Sequence, residues 1–176
     1  ILSWRMKYLI DTNCFIEPHR GICPMDVAIS FWNKMKELAC EKDVYILDKV
    51  KNELTEWEDE LRKWVIDNVG RQVLKFETDA SVAKFKEVNN WVLTHQQYSQ
   101  GAKEKFMDTS RADIYLVSYA AVVPNEWTVV SQEKRAPLSS TEIKFISSTS
   151  CELISKVTLS KIELCKVRDV ILFITS

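Results

Sequence analysis

Tyr8-Leu9-Ile10-Asp11-Thr12-Asn13 is the stretch on which the fold turns. An apolar run followed at once by polar residues predicts a short buried strand that delivers Asp11 at its C-terminal end. The pattern returns twice: Val44-Tyr45-Ile46-Leu47 leads into an amphipathic segment, and Trp127-Thr128-Val129-Val130-Ser131 again ends in polar residues. Helical periods lie between these strands. Val50, Leu54, Trp57, Leu61, Trp64 and Val65 step by three and four and predict one helix over 50–65. Val82, Phe85, Val88, Trp91 and Val92 predict another over 80–94. Asp26 is placed to cap a third over 27–40, with Phe31, Trp32, Met35 and Leu38 on its apolar side. Residues 17–26 hold Pro18, Gly21 and Pro24 and predict a loop. Residues 114–123 are apolar except for Ser118, which predicts a helix buried on most sides and ended by Pro124-Asn125. Strands alternating with helices make the expected class α/β: three layers, with a central, mostly parallel sheet flanked by helices. Ligands of such sheets sit at the carboxyl ends of the strands.

Composition agrees with a single packed domain. The 176 residues are 46% apolar and 28% charged, enough to bury a sizeable core. With 24 basic and 25 acidic side chains the formal charge is -1, which excludes a broadly basic coat that grips nucleic acid by bulk electrostatics. We expect one domain over 6–176, with residues 1–5 an upstream remnant before Met6. From 139 to 176 the texture changes: Ser, Thr and β-branched residues dominate, and only 170–174 reads as a strand. The odd, scattered set Cys14, Cys23, Cys40, Cys151 and Cys165 reads as reduced thiols in a cytoplasmic protein. No window offers the apolar length of a membrane span, so no membrane association is expected.

Four acids occupy distinctive places: Asp11 after the first strand, Glu53 in the first turns of the helix after the second, Asp113 at the start of the most apolar helix, and Glu133 after the third strand. Each has a plain structural explanation when taken alone. Asp11 suits a turn or cap, Glu53 a solvated helix face, Asp113 a capping box with Ser110, and Glu133 an exposed loop. A parallel sheet, however, gathers all four at one edge. Two carboxylates about 4 Å apart repel by roughly 4 kcal/mol at an effective dielectric of 20, so a cation or a shared proton must offset the crowding. Oxygen donors without organised His or Cys suit Mg²⁺ or Mn²⁺, ions that serve phosphoryl chemistry.

Tyr8 to Asn13, Glu53, Ala112-Asp113-Ile114-Tyr115-Leu116-Val117-Ser118-Tyr119-Ala120 and Val129-Val130-Ser131-Gln132-Glu133 together resemble the signatures of the PIN-domain ribonucleases. The stretch Phe15-Ile16-Glu17-Pro18-His19-Arg20, with Pro24 and Phe31-Trp32, further resembles a prokaryotic subfamily of that group. The similarity spans about residues 6–137. It implies a metal-dependent endoribonuclease that cleaves RNA phosphodiester bonds, with Asp11, Glu53 and Asp113 as the Mg²⁺- or Mn²⁺-binding acids and Glu133 as the fourth acid. Asn13 and Ser131 would support the site by hydrogen bonds. Glu133 departs from the family's usual Asp, and its longer side chain bears on any second metal. Many relatives are toxins of toxin–antitoxin pairs, so the implied partners are RNA, an antitoxin protein and a second copy in a homodimer. The alternative is a catalytically weak or inactive PIN-like module that binds RNA or protein.

Other constellations are weaker. Cys14, His19 and Cys23 give three scattered metal-ligand types without a fourth, and Cys14 reads as core. His95 reads as a helix C-terminal charge. Three isolated Gly exclude the Gly-rich phosphate loops. Arg20, Lys49, Lys51, Arg111, Lys134 and Arg135 lie near the expected edge, where Arg111 and Lys134 are candidates for a small phosphate clamp.

Overall fold

The structure is a computed structural model that describes residues 7–21, 23–70, 72–123, 126–132 and the strand residues 164–165. The three sequence-predicted strands are present as β1 (Lys7–Ile10), β2 (Val44–Leu47) and, nearest the C-terminus of the three, Trp127–Val130. Two short strands join them: β3 (Val73–Leu74) precedes Trp127–Val130, which is therefore β4, and β5 is Leu164–Cys165. The order is β3-β2-β1-β4-β5 and every pairing is parallel. Leu9 sits opposite both Tyr45 and Val129, so β1 is central and its C-terminal end lies between those of β2 and β4. That register places Asp11 at the middle of the sheet's carboxyl edge.

Among the described residues the helices are α1 (Asn13–Arg20), α2 (Ile29–Leu38), α3 (Asp48–Leu54), α4 (Glu60–Asn68), α5 (Asp79–Thr94), α6 (Gln100–Phe106) and α7 (Asp113–Ala120). They flank the sheet to give the expected three-layer α/β fold. On one side Phe15 of α1, Phe31 and Trp32 of α2 and Trp64 of α4 pack ring against ring, with Trp32 and Trp64 centroids 5.1 Å apart. On the other, α5 packs along α7, and Tyr119 of α7 meets Trp127 of β4. Leu9, Leu47, Val50, Val65, Ile114, Leu116, Val117 and Val129 are fully enclosed between the layers. Burial of a side chain of this kind contributes about 1.5–3 kcal/mol. No helix among the described residues is long and apolar enough to cross a membrane.

Several local expectations need correction. The single helix over 50–65 is two helices. The Thr55 hydroxyl bonds the carbonyls of Lys51 and Asn52 at the end of α3. Asp59 then starts α4 by accepting from the Arg62 amide at 2.8 Å. A polar stop and an N-cap override a continuous apolar period, and Trp57 lies in the break, 63% exposed. The loop predicted over 17–26 begins later, because α1 continues through Pro18 to Arg20. Cys14, Phe15 and Pro18 form its buried side, which rewards the helix despite the missing amide. The helix stops at Gly21, where a Cβ would lie 2.8 Å from the Glu17 carbonyl oxygen. Asp26 is exposed in the turn before α2 and does not cap it; α2 begins at Ile29, while Trp32, Met35 and Leu38 are buried as their spacing predicts.

The helix predicted over 80–94 is capped by Thr78, which accepts from the Ser81 amide. The helix predicted over 114–123 ends at Ala120. β3 and α6 went unpredicted. β3 is too short to show a period, and α6 takes Gly101, a poor helix former, into its first turn behind a Ser99 cap. The strand predicted over 170–174 lies outside the described residues, as does all of the 139–176 tail except 164–165.

Candidate functional site: acids at the strand ends

Asp11 leaves β1 into the sheet's interior edge and is 1% exposed. Its amide donates to the Val130 carbonyl, continuing the β1–β4 ladder by one residue. Its Oδ2 accepts from the Ser131 hydroxyl at 2.6 Å. A charge-assisted hydrogen bond of this length fixes the carboxylate's orientation. Ser131 is itself wholly buried at the end of β4.

Glu53 arrives from α3, in the second turn after β2. Its Oε2 accepts from the Thr12 hydroxyl at 2.9 Å and from the Ala112 amide at 3.0 Å. Thr12 follows Asp11 and Ala112 precedes Asp113, so one carboxylate oxygen ties the β1 end to the start of α7. Burial raises the Glu53 pKa above the ordinary glutamate value; the bonds from Thr12 and Ala112 oppose that rise, and the nearby Asp113 charge adds to it. Arg111 lowers it in turn, which locates a guanidinium close to both acids.

Asp113 opens α7 and is half-buried, with its side chain 16% exposed. The capping box with Ser110 does not form: Ser110 bonds Asp108 through both its hydroxyl, at 2.7 Å, and its amide, at 2.9 Å. Asp113 Oδ2 instead accepts from Arg111, with Nε and Nη2 each at 3.1 Å.

The sheet edge therefore brings Asp11, Glu53, Asp113, Ser131 and Arg111 into one neighbourhood, with Asn13 half-buried at the first position of α1. Glu133 and Lys134 lie outside the described residues. Sequence reading missed Thr12. It is the N-cap residue of α1, where a hydroxyl usually bonds its own helix, yet here it donates to Glu53. A Thr directly after the strand-terminal acid was the available signal.

The remaining candidates resolve into structure. Cys14 is buried and its thiol donates to the Val130 carbonyl at 3.2 Å. Burial, with the Asp11 charge nearby, pushes that thiol's pKa well up. His95 ends α5 with its ring stacked on Trp91. Lys51 donates to the Val69 carbonyl at the end of α4. Lys49 sits 5.2 Å from the centre of the Tyr115 ring and 3.4 Å from Glu77. Arg20 is exposed at the end of α1.

Carboxylate oxygens are the donor type that Mg²⁺ and Mn²⁺ take, and the three acids reach this edge from separate elements. Among the described residues, however, no three His, Cys, Asp or Glu side chains are grouped closely enough to enclose an ion as they stand. The donor chemistry fits a hard divalent ion, while the arrangement has Asp113 engaged by Arg111 and Glu53 Oε2 engaged by Thr12 and Ala112. Glu53 Oε1 is the oxygen these two bonds leave for a ligand.

Residues 8–164 match a family model whose description is a domain of unknown function (DUF4411). No curated protein matches the chain.

Proposed function

The chain belongs to the DUF4411 family of domains of unknown function, and from the acids at its strand ends we propose that it is a Mg²⁺- or Mn²⁺-dependent endoribonuclease, similar in its site to the PIN-domain ribonucleases. One observation carries the reading. Glu53 Oε2 is bonded at once to the residue after Asp11 and the residue before Asp113, so three acids from three elements share the edge where parallel sheets bind ligands. A fold that keeps a half-buried glutamate beside an aspartate carries an electrostatic cost, which a cation offsets.

Asp11, Glu53 and Asp113 are the residues that would hold the ion, with Glu133 as the fourth acid and Lys134 joining Arg111 in a phosphate clamp. When bound, Mg²⁺ or Mn²⁺ supplies charge to the phosphate and lowers the pKa of water. The chain's own residues set the geometry. Ser131 orients Asp11 Oδ2, Thr12 and Ala112 hold Glu53 against α7, and the buried ends of β1 and β4 exclude solvent from behind the acids. Arg111 is a cation on this edge suited to meet a phosphate of the RNA. An antitoxin protein that covers these acids and a homodimer belong to the same reading.

The test is cleavage of single-stranded RNA with Mn²⁺ or Mg²⁺. Asp11→Asn and Asp113→Asn proteins are expected to lose about 100-fold or more of the wild-type rate. Variants that cut at the wild-type rate reject the roles given to these acids. The second reading, a PIN-like module that binds RNA or protein without cutting, draws on the ungrouped acids and the Arg111–Asp113 pair. A folded protein that takes up no Mn²⁺ in calorimetry favours it.

A further inference from the structure

We infer that Arg111 is the resident counter-cation of the acids at the strand ends and that a divalent ion must compete with it for Asp113 Oδ2. The inference rests on the metal-dependent reading above and specifies what regulates loading of that site.

Arg111 offers both Nε and Nη2 to a single oxygen, each at 3.1 Å, on the residue two positions along. The pairing is local, yet it is not left to a freely moving side chain. Asp108 takes the amide and hydroxyl of Ser110, and the Asp108 carbonyl takes the Arg111 amide at 3.1 Å, so the turn before α7 aims the guanidinium at the helix's first residue. The same positive charge also acts on Glu53. Its partner oxygen belongs to one of the three acids proposed to take the ion.

A site built around this arrangement carries its own stand-in. Without metal, the guanidinium offsets the repulsion between Glu53 and Asp113. An incoming ion must displace it from Oδ2, which weakens apparent metal affinity by the strength of the pair. The Arg111 side chain is 35% exposed, so the pair is of the modest, solvent-screened kind. Removing it should tighten metal binding by about two- to fivefold. The outward exposure also means that the side chain can leave Asp113 without unpacking the core.

The experiment is calorimetric titration of Mn²⁺, without RNA, into wild-type, Arg111→Gln, Arg111→Lys and Asp113→Asn proteins, each first checked for a cooperative thermal melt. The expected result is tighter Mn²⁺ binding by Arg111→Gln than by wild type, with Arg111→Lys within about twofold of wild type and Asp113→Asn weaker than either. Binding by Arg111→Gln without measurable binding by wild type also supports the competition. Wild-type binding that Arg111→Gln leaves unchanged or weakens overturns the inference while leaving the metal site in place. Loss of Mn²⁺ binding in both proteins overturns it together with the functional reading.

Discussion

The Ser131 hydroxyl donates to Asp11 Oδ2 over 2.6 Å, joining the ends of neighbouring parallel strands 120 positions apart in the chain. Both residues are buried, so the bond fixes a carboxylate where water has little access. Ser131→Ala removes the hydroxyl without adding bulk. Loss of a buried hydrogen bond to a charged acceptor costs about 1–3 kcal/mol. At roughly 2–4 °C per kcal/mol for a chain of this length, the melting temperature should fall by several degrees. Ser131→Thr, which keeps the hydroxyl, should lose less. An unchanged melt in Ser131→Ala would show that the strand ends are held by other means.

Glu53 gives a pH dependence with a definite sign. Its folded pKa is raised, chiefly by burial, so the folded protein holds this proton to higher pH than the unfolded chain does. Its contribution to stability is therefore fully present below the ordinary glutamate value of about 4.3 and is lost as pH rises through the raised value. Glu53→Gln is neutral throughout, and its amide oxygen can still accept from Thr12 and Ala112. In chelator at neutral pH the variant should melt above wild type, and the gap should close at about pH 4. The residue is partly solvated, which keeps the gap small. A variant that melts lower than wild type at neutral pH would mean that the ionised carboxylate is favourable there.

Thiol accessibility tests the packing behind the strand ends. Cys14 lies under β4 with its thiol on the Val130 carbonyl and its pKa pushed well up, so it offers neither thiolate nor access. Cys40 is exposed just beyond α2. At about pH 8, iodoacetamide followed by peptide mass mapping should label Cys40 in the native protein and Cys14 only after denaturation. Native labelling of Cys14 at the Cys40 rate would mean that the β1–β4 edge opens readily.

The sequence made the sheet edge legible because polarity changes abruptly there. Tyr8-Leu9-Ile10 against Asp11, and Val129-Val130 against Ser131, mark strand ends that no helical period imitates. Glu53 was placed by its position in the first turns of the helix after β2, and the structure puts it beside Thr12 and Ala112. What escaped was set by contacts distant in sequence. The Thr12 hydroxyl could have capped its own helix, and its choice of Glu53 depends on where α3 is packed. The Asp113–Arg111 pair replaced a capping box of correct spacing, because Asp108 took Ser110 first. Pro18 reads as a breaker, but the apolar side of α1 had a core to meet.

The break between α3 and α4 supplies a final test, since the same periodic stripe holds residues of opposite fate. Leu61 is 3% exposed on α4, whereas Trp57 is 63% exposed between the helices. A continuous helix would bury both on one face, and truncating either would open a cavity. In the broken arrangement only Leu61→Ala leaves a void, at a cost of about 2–5 kcal/mol. Trp57→Ala removes a ring that the core does not hold and should stay within about 0.5 kcal/mol of wild type. Asp59→Ala should fall between them, near 1 kcal/mol, because it removes the N-cap that restarts the helix at Glu60. Urea denaturation of the three variants reads this order from midpoints at constant slope. Equal losses for Leu61→Ala and Trp57→Ala would restore the continuous helix and remove the break that the Thr55 and Asp59 side chains create.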